Sequence, residues 1–465
     1  MSSGIFRPAA CWILFAALFY APWAYGGTTV ESIATINCLL AAALLFWIVD
    51  LLVNRRPPGF PRALVVFIGL LLALGGWMVF NASAISDSTF DAFARLPKPA
   101  PNFPGSVDYA LSAAWMIRGA LLLGVVLFIV DLSREDRWLL RLWYAVALAG
   151  GSVALLGVLQ KATGARMIFW RPAPFEAITT FFAAYYYHGN AGAYLNLVLP
   201  LTTGLAVRSF VTPTKAGMRA LWSIIFVVTL VAVFANTSRM AQSIAVLSLI
   251  AMVVLLGPRL LRRFSRTEKN IALAGVGAML LAVFAVAQAT HLEQPIKRWE
   301  RLSEHIASDA RWSSATVALK QAIPEAGLLG FGPGTFRAVF PWFNMSAPAP
   351  APGGWRFLHN DYLQTVIEWG WLGAALWALI FFCGLTLAVR RLRSPDARAW
   401  APRRRLMLPL AVVALAGVAL HATVDFPLQI ASIQLYAAVY LGLCWGSTRW
   451  RSGRVRSEKS APLTD

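Results

Sequence analysis

HNDYLQTVIEWGWLGAALWALIFFCGLTLAV, residues 359–389, decides the class of this chain. After a polar opening it stays apolar for longer than the ~20 residues a helix needs to cross hydrocarbon. Asn360 or Asp361 supplies a helix N-cap at its start, so the stretch predicts a transmembrane helix over 361–389. Upstream lies the polar segment from His291 to Asn360, far longer than any other polar interruption. Water-exposed chain of that length between lipid-soluble helices points to chemistry at the membrane surface.

Of the 465 residues, 58% are hydrophobic and only 13% charged, about half the charged fraction of a soluble protein. Mean hydropathy is +0.62. The chain reads as an all-α polytopic membrane protein, because only elements that satisfy their own backbone can cross hydrocarbon. The net charge of +20 comes from short basic clusters between spans, which excludes a nucleic-acid face. Four cysteines (Cys11, Cys38, Cys383, Cys444) fall in apolar runs at no metal-ligand spacing, implying neither disulfide nor zinc.

Apolar windows place twelve transmembrane helices, near 9–26, 31–53, 63–83, 109–131, 138–160, 190–207, 219–236, 239–257, 270–290, 361–389, 406–424 and 429–447. The first reads as a span, not a cleavable signal peptide, because so many spans follow it. With the N-terminus cytoplasmic, every second connection is strongly basic, and most of the 41 Lys and Arg residues fall on that side. The C-terminus, a basic tail at 448–465, is then cytoplasmic too. The segments 84–108, 161–189 and 291–360 face outward, the last as a large periplasmic loop between helices 9 and 10. Trp23, Tyr25, Trp170 and Tyr185-Tyr-Tyr187 form an interfacial belt at the outer edge. No internal repeat is visible, which weighs against a secondary transporter.

Basic residues on the outer side run against the general bias. Arg171, Arg239, Arg298, Arg301 and Arg311 are among them, and guanidinium forks suit phosphate and pyrophosphate oxygens. Most such charges serve solvation or headgroup anchoring. Arg239, in Asn236-Thr-Ser-Arg239 between two apolar stretches, must face a polar cavity or a partner. Arg118, inside its span, can snorkel or bond a neighbouring helix.

His359 stands where the outer loop becomes a helix and can accept a proton near neutral pH, a candidate general base. Asn360 and Asp361 follow it, and Glu368 lies further down the same helix. The turn Leu329-Gly-Phe-Gly-Pro-Gly-Thr-Phe336 offers backbone amides, at Gly332 and Gly334 among others, that could cradle a phosphate or sugar, although a tight loop accounts for it equally. It lacks the lysine and preceding strand of a nucleotide-binding P-loop. Ser346 to Gly354 reads as a spacer, stiff and then flexible. His188-Gly-Asn190 closes another outer loop, and His421 and Asp425 stand four apart at the outer end of a helix. No carboxylate cluster suits a divalent metal.

Taken together, these residues resemble the O-antigen ligase family, membrane glycosyltransferases that include O-antigen ligases and related polysaccharide polymerases. The resemblance runs from about 185 to 430, on His188-Gly-Asn190, Ser238-Arg239, Arg311-Trp312, the glycine turn, His359-Asn-Asp-Tyr-Leu-Gln with Glu368, and Asp425-Phe-Pro-Leu. It divides the chain into N-terminal helices and an outer loop (1–184), a catalytic membrane region (185–447, including 291–360) and the basic tail. It implies a GT-C-like enzyme of the bacterial inner membrane with a periplasmic site and no metal or cofactor. Such an enzyme moves a glycan from undecaprenyl-pyrophosphate to an acceptor hydroxyl with inversion. By motif, Arg239 and Arg311 hold the pyrophosphate, with Arg171, His188, Asn190, Gly332, Gly334 and Asn360 around the substrate. His359 is then the catalytic base, and Asp361, Glu368, His421 and Asp425 support it. The acceptor is a glycolipid in a ligase, a second lipid-linked glycan in a polymerase, and a protein in a third branch of the family. Polymerases of one type carry paired outer loops with an Arg-x10-Gly pattern, which none of the outer arginines here begins. A non-enzymatic flippase for the same anionic lipid is the competing class; the asymmetry of loop lengths favours an outward-facing enzyme.

Overall fold

The computed structural model describes residues 4–87, 92–171, 180–261 and 310–450. Its helices are α1 (Phe6–Trp23), α2 (Val30–Val53), α3 (Arg62–Phe80), α4 (Tyr109–Leu132), α5 (Asp136–Ala162), α6 (His188–Val211), α7 (Ala216–Ala235) and α8 (Arg239–Leu261). After the undescribed segment come α9 (Ala310–Val317), α10 (Ile323–Ala326), α11 (Phe336–Met345), α12 (Asp361–Arg393), α13 (Pro402–His421) and α14 (Ala431–Gly446). At the starts of α2, α4 and α12 a side chain caps the exposed N–H groups. Thr29 forms a capping box with Ser32 on α2, Asp108 accepts from Ala110 and Leu111 at 2.9 and 3.2 Å on α4, and Asn360 accepts from Leu363 at 3.0 Å on α12.

Nine helices among the described residues are long and apolar enough to span a membrane: α2 to α8, α12 and α13. Two more expected spans are present as helices. The first, α1, carries Arg7 and two prolines within 18 residues. The last, α14, is only 16 residues long and buried on every side. Its tyrosines bond across the bundle: Tyr194 to Tyr436 at 3.0 Å, Tyr436 to the Leu18 carbonyl at 2.9 Å and Tyr440 to the Leu197 carbonyl at 2.8 Å. Each buried hydroxyl thereby keeps a partner. The expected span at 270–290, most of the basic loop at 258–269, Arg298, Arg301 and most of the C-terminal tail lie outside the described residues.

The connections sort to two ends. At one, Arg7 and Arg56 meet Asp131 at 2.8 Å each, and the Arg404 side chain reaches the Arg134 carbonyl at 2.7 Å. The other end gathers the starts of α4, α6, α8 and α12 and the turn after α13. The all-α expectation needs one amendment there. Ala84–Asp87 (β1) and Ala92–Arg95 (β2) pair antiparallel, with Ala84 opposite Arg95.

The described part of the long polar segment is folded, with its own apolar core. Phe336, Phe340 and Phe343 pack with Ala318, Ile323, Leu358 and Ile367. The spacer is pinned as well: Asn344 donates to the Ala351 carbonyl at 2.9 Å and accepts from the Ala351 N–H at 2.8 Å. This unit is seated on a break in α12. Gly370 takes φ 63° and ψ −177°, interrupting the helical ladder. The freed groups are then taken up by the incoming loop. Phe331 and Gly332 donate to the Ile367 and Glu368 carbonyls at 3.0 and 2.9 Å, while Trp371 and Leu372 donate to Gly327 and Leu328 at 3.2 and 3.0 Å. A broken helix survives in a membrane only when its backbone is satisfied in this way.

Candidate functional site

Four chain segments meet at the polar end of the bundle. His359 closes the folded loop with a left-handed backbone, φ 58°, which turns the chain into α12. That conformation is costly for a residue with a Cβ and is held by its neighbours. Asn360 caps α12 and also donates to the Thr423 carbonyl at 2.9 Å. Asp361 is buried, accepting from the Leu428 N–H at 2.8 Å and the Gln429 amide at 3.1 Å. Both residues therefore tie the start of α12 to the turn that follows α13, which carries Asp425.

His359 Nδ1 lies 2.9 Å from Asp425 Oδ1. Asp425 is buried and also accepts from its neighbour Phe426 N–H at 3.1 Å and from Tyr187 Oη at 3.0 Å. His421 Nε2 stands 3.8 Å away on the other oxygen, an ion-pair distance and too long for a hydrogen bond. Burial pushes the Asp425 carboxyl up, but the two histidines outweigh it and hold it well below the usual carboxylate range. A carboxylate on Nδ1 fixes the tautomer of His359 and leaves Nε2 as the atom able to take a proton. The ring sits among aromatic faces, near-perpendicular to Tyr187, Trp355 and Phe426 at centroid distances of 6.0, 5.8 and 4.7 Å. On its open side is a cavity of about 450 Å³ lined by Trp355, Arg356, Phe357, His359 and Phe426.

Arg311, in the first turn of α9, reaches the same cluster. Its Nη2 donates to Tyr187 Oη at 2.8 Å, and Nη1 lies 3.4 Å from the Val424 carbonyl. The structure thus brings Arg311, His359, His421 and Asp425 together from three separate sequence regions. Tyr187, the residue between Arg311 and Asp425, was placed by sequence only in an interfacial belt. Gly189 is a second omission: a Cβ there would run into the Tyr187 ring and the Asp425 carboxylate. Its neighbour His188 points its ring toward Tyr187 at 4.8 Å and its Nδ1 to the Thr180 carbonyl at 3.2 Å.

Arg239 opens α8 nearby. Asn236, three residues before it, donates to the His188 carbonyl at 2.9 Å and accepts from the Ser238 N–H at 2.9 Å. Asn190 is buried one turn along α6, and its Oδ1 has no hydrogen-bond partner among the described residues.

Four other expected participants, Arg171, Glu368, Gly332 and Gly334, stand elsewhere. Arg171 lies over the Tyr25 ring at 5.7 Å, in an aromatic group with Trp23, Phe169 and Tyr186. Glu368 is buried two turns down α12 and receives the glycine turn. It accepts from Gly334 and Phe336 N–H at 3.1 and 3.3 Å and from the Gln364 amide at 3.0 Å. The Gly332 and Gly334 amides are thereby occupied within the protein. The turn needs its glycines, since Gly332 has φ 116° and a Cβ there would strike Ser106. Arg118, half-buried in α4, lies over Trp115 at 5.7 Å.

A family model described as O-Antigen ligase matches residues 224–378. Over those residues the chain is similar to O-antigen ligases. The match runs from within α7 to the middle of α12 and so includes Arg239, Arg311, the glycine turn, His359 and Glu368. Residues outside the match pack against it in space, Tyr187 on Arg311 and Asp425 on His359 above all. The family is one of membrane glycan ligases and polymerases, which implies a glycosyltransferase-like enzyme and lipid-linked glycan substrates. No curated protein matches the chain.

Proposed function

We propose that this protein is an inner-membrane glycosyltransferase of the O-antigen ligase type, moving a glycan from undecaprenyl-pyrophosphate to an acceptor hydroxyl on the periplasmic side. The observation that carries the reading is the pairing of His359 with the buried Asp425, with Arg311 one tyrosine away. The acceptor hydroxyl enters the cavity beside His359, and Nε2 takes its proton as the oxygen attacks the anomeric carbon. As that C–O bond forms, the bond from the anomeric carbon to the pyrophosphate oxygen breaks on the opposite face, giving inversion. Arg311 and Arg239 hold the pyrophosphate and neutralise the charge that builds on it as it leaves. Asp425 stabilises the imidazolium that forms. Asn360 and Asp361 keep His359 and Asp425 in register, and Glu368 fixes the glycine turn of the loop that ends at His359. The catalytic region is 185–447, with both chain termini cytoplasmic.

The test is transfer by purified protein in lipid, supplied with undecaprenyl-pyrophosphate glycan and offered lipid A-core, a second lipid-linked unit or peptide. Product on lipid A-core is expected of a ligase. Product only on the second lipid-linked unit reassigns the protein as a polymerase. Movement of the carrier between leaflets with no product on any acceptor refutes the enzyme and favours a flippase.

A further inference from the structure

Tyr187 belongs neither to the base nor to the cation pair, yet it touches both. Its hydroxyl donates to Asp425 Oδ2 at 3.0 Å and accepts from Arg311 Nη2 at 2.8 Å. It has one proton to give, and the geometry commits that proton to the carboxylate. Burial and the adjacent Asp425 carboxylate push the phenol well above its ordinary range, so it remains a donor. Its ring is stacked on Phe426 at 5.5 Å, which fixes the direction of the O–H. A hydroxyl whose oxygen accepts a hydrogen bond from a cation is itself a stronger donor, because chains of such bonds polarise one another.

We propose that Tyr187 is a positioning residue that couples occupation of Arg311 by the lipid pyrophosphate to the proton affinity of His359. This rests on the transfer reading above. With no lipid bound, Arg311 polarises the Tyr187 hydroxyl, which holds negative charge on Asp425 and leaves less of it for His359. A pyrophosphate that neutralises Arg311 relaxes the hydroxyl. Asp425 then supports the imidazolium more strongly, and His359 becomes the better base once the donor is in place.

Other charges surround the pair. His421 faces Asp425 at 3.8 Å from α13, His188 lies beside the Tyr187 ring from α6, Asp361 stands on α12, and Arg356 lines the same cavity. The test therefore compares the lipid-induced shift in the natural protein with that in Tyr187→Phe, which retains all of these groups.

The experiment follows the pH dependence of ethoxycarbonylation of His359 in the full-length protein by mass spectrometry, with and without undecaprenyl pyrophosphate. The reagent labels only the unprotonated imidazole. In the natural protein the lipid should move the midpoint up by about one pH unit. In Tyr187→Phe the lipid-free midpoint should already be raised by about half to one unit, and the lipid-induced shift should shrink to less than half. A Tyr187→Phe midpoint equal to the natural one, or a lipid-induced shift of unchanged size, overturns the proposal even if transfer is slower. If Tyr187→Phe does not fold, Arg311→Gln tests the same link from the other end. It should raise the lipid-free midpoint, and an unchanged or lowered midpoint overturns the proposal. Labelling needs no turnover, so failure here with transfer intact refutes the coupling alone. Absence of transfer from the natural protein refutes the reading beneath it.

Discussion

Asp425→Asn removes one negative charge and almost no volume from the pair that defines the site. The carboxylate is buried, its side chain 6% exposed, and lies 2.9 Å from a ring nitrogen that is itself largely shielded. A hydrogen bond to a charged group contributes about 1.5–3 kcal/mol. At 1.36 kcal/mol per tenfold, loss of that support for the imidazolium lowers the rate of transfer roughly 10- to 150-fold. The acid limb of the rate profile should therefore move to lower pH while the plateau falls. The assay is initial-rate glycan transfer in lipid from pH 5 to 9, at saturating and at limiting donor. A plateau within threefold of the natural protein, or an acid limb that stays in place or moves upward, would refute the role given to Asp425.

Other expectations follow from the same contacts. Arg311→Lys keeps the charge but loses the fork that reaches Tyr187 and the Val424 carbonyl, so donor KM should rise and kcat fall, with little recovery relative to Arg311→Ala. Gly189→Ala should displace Asp425 and abolish transfer while leaving carrier binding measurable by equilibrium lipid capture. Glu368→Ala orphans the Gly334 and Phe336 N–H groups. With a buried unpaired group costing about 1–3 kcal/mol, the thermal midpoint should drop markedly while the acid limb of transfer stays in place. Asp425, held below the usual range when folded, adds stability that is fully present above about pH 4 and lost as the pH falls through its depressed value. The thermal-midpoint gap between the natural protein and Asp425→Asn should accordingly narrow on acidification below about pH 4.

Much of the architecture was legible because hydrocarbon imposes a strict length on apolar helices. The stretch at 361–389 is the body of α12, and the spans at 109–131 and 219–236 fall within three residues of α4 and α7. What escaped was tertiary. The break at Gly370 is hidden inside an apolar run, and it is stabilised by backbone from residues 327–332 that no local pattern announces. The glycine turn reads locally as a set of free amides, yet Glu368, over thirty residues on, accepts two N–H groups from it. In the site, His359, Arg311 and Asp425 were visible as polar residues out of place at helix mouths. Tyr187 was not, because a tyrosine at an outer loop is the ordinary furniture of a membrane interface. Its position between Arg311 and Asp425 sets it apart from Tyr185, buried against Ser432, and from the exposed Tyr186.

The central claim is that His359 takes the proton of the acceptor. His359→Ala in the full-length protein, reconstituted in lipid with undecaprenyl-pyrophosphate glycan, tests it most directly when transfer and carrier binding are measured on the same sample. The account requires transfer to fall by at least two orders of magnitude at every pH with carrier binding retained. Transfer at the natural rate to any acceptor would contradict it.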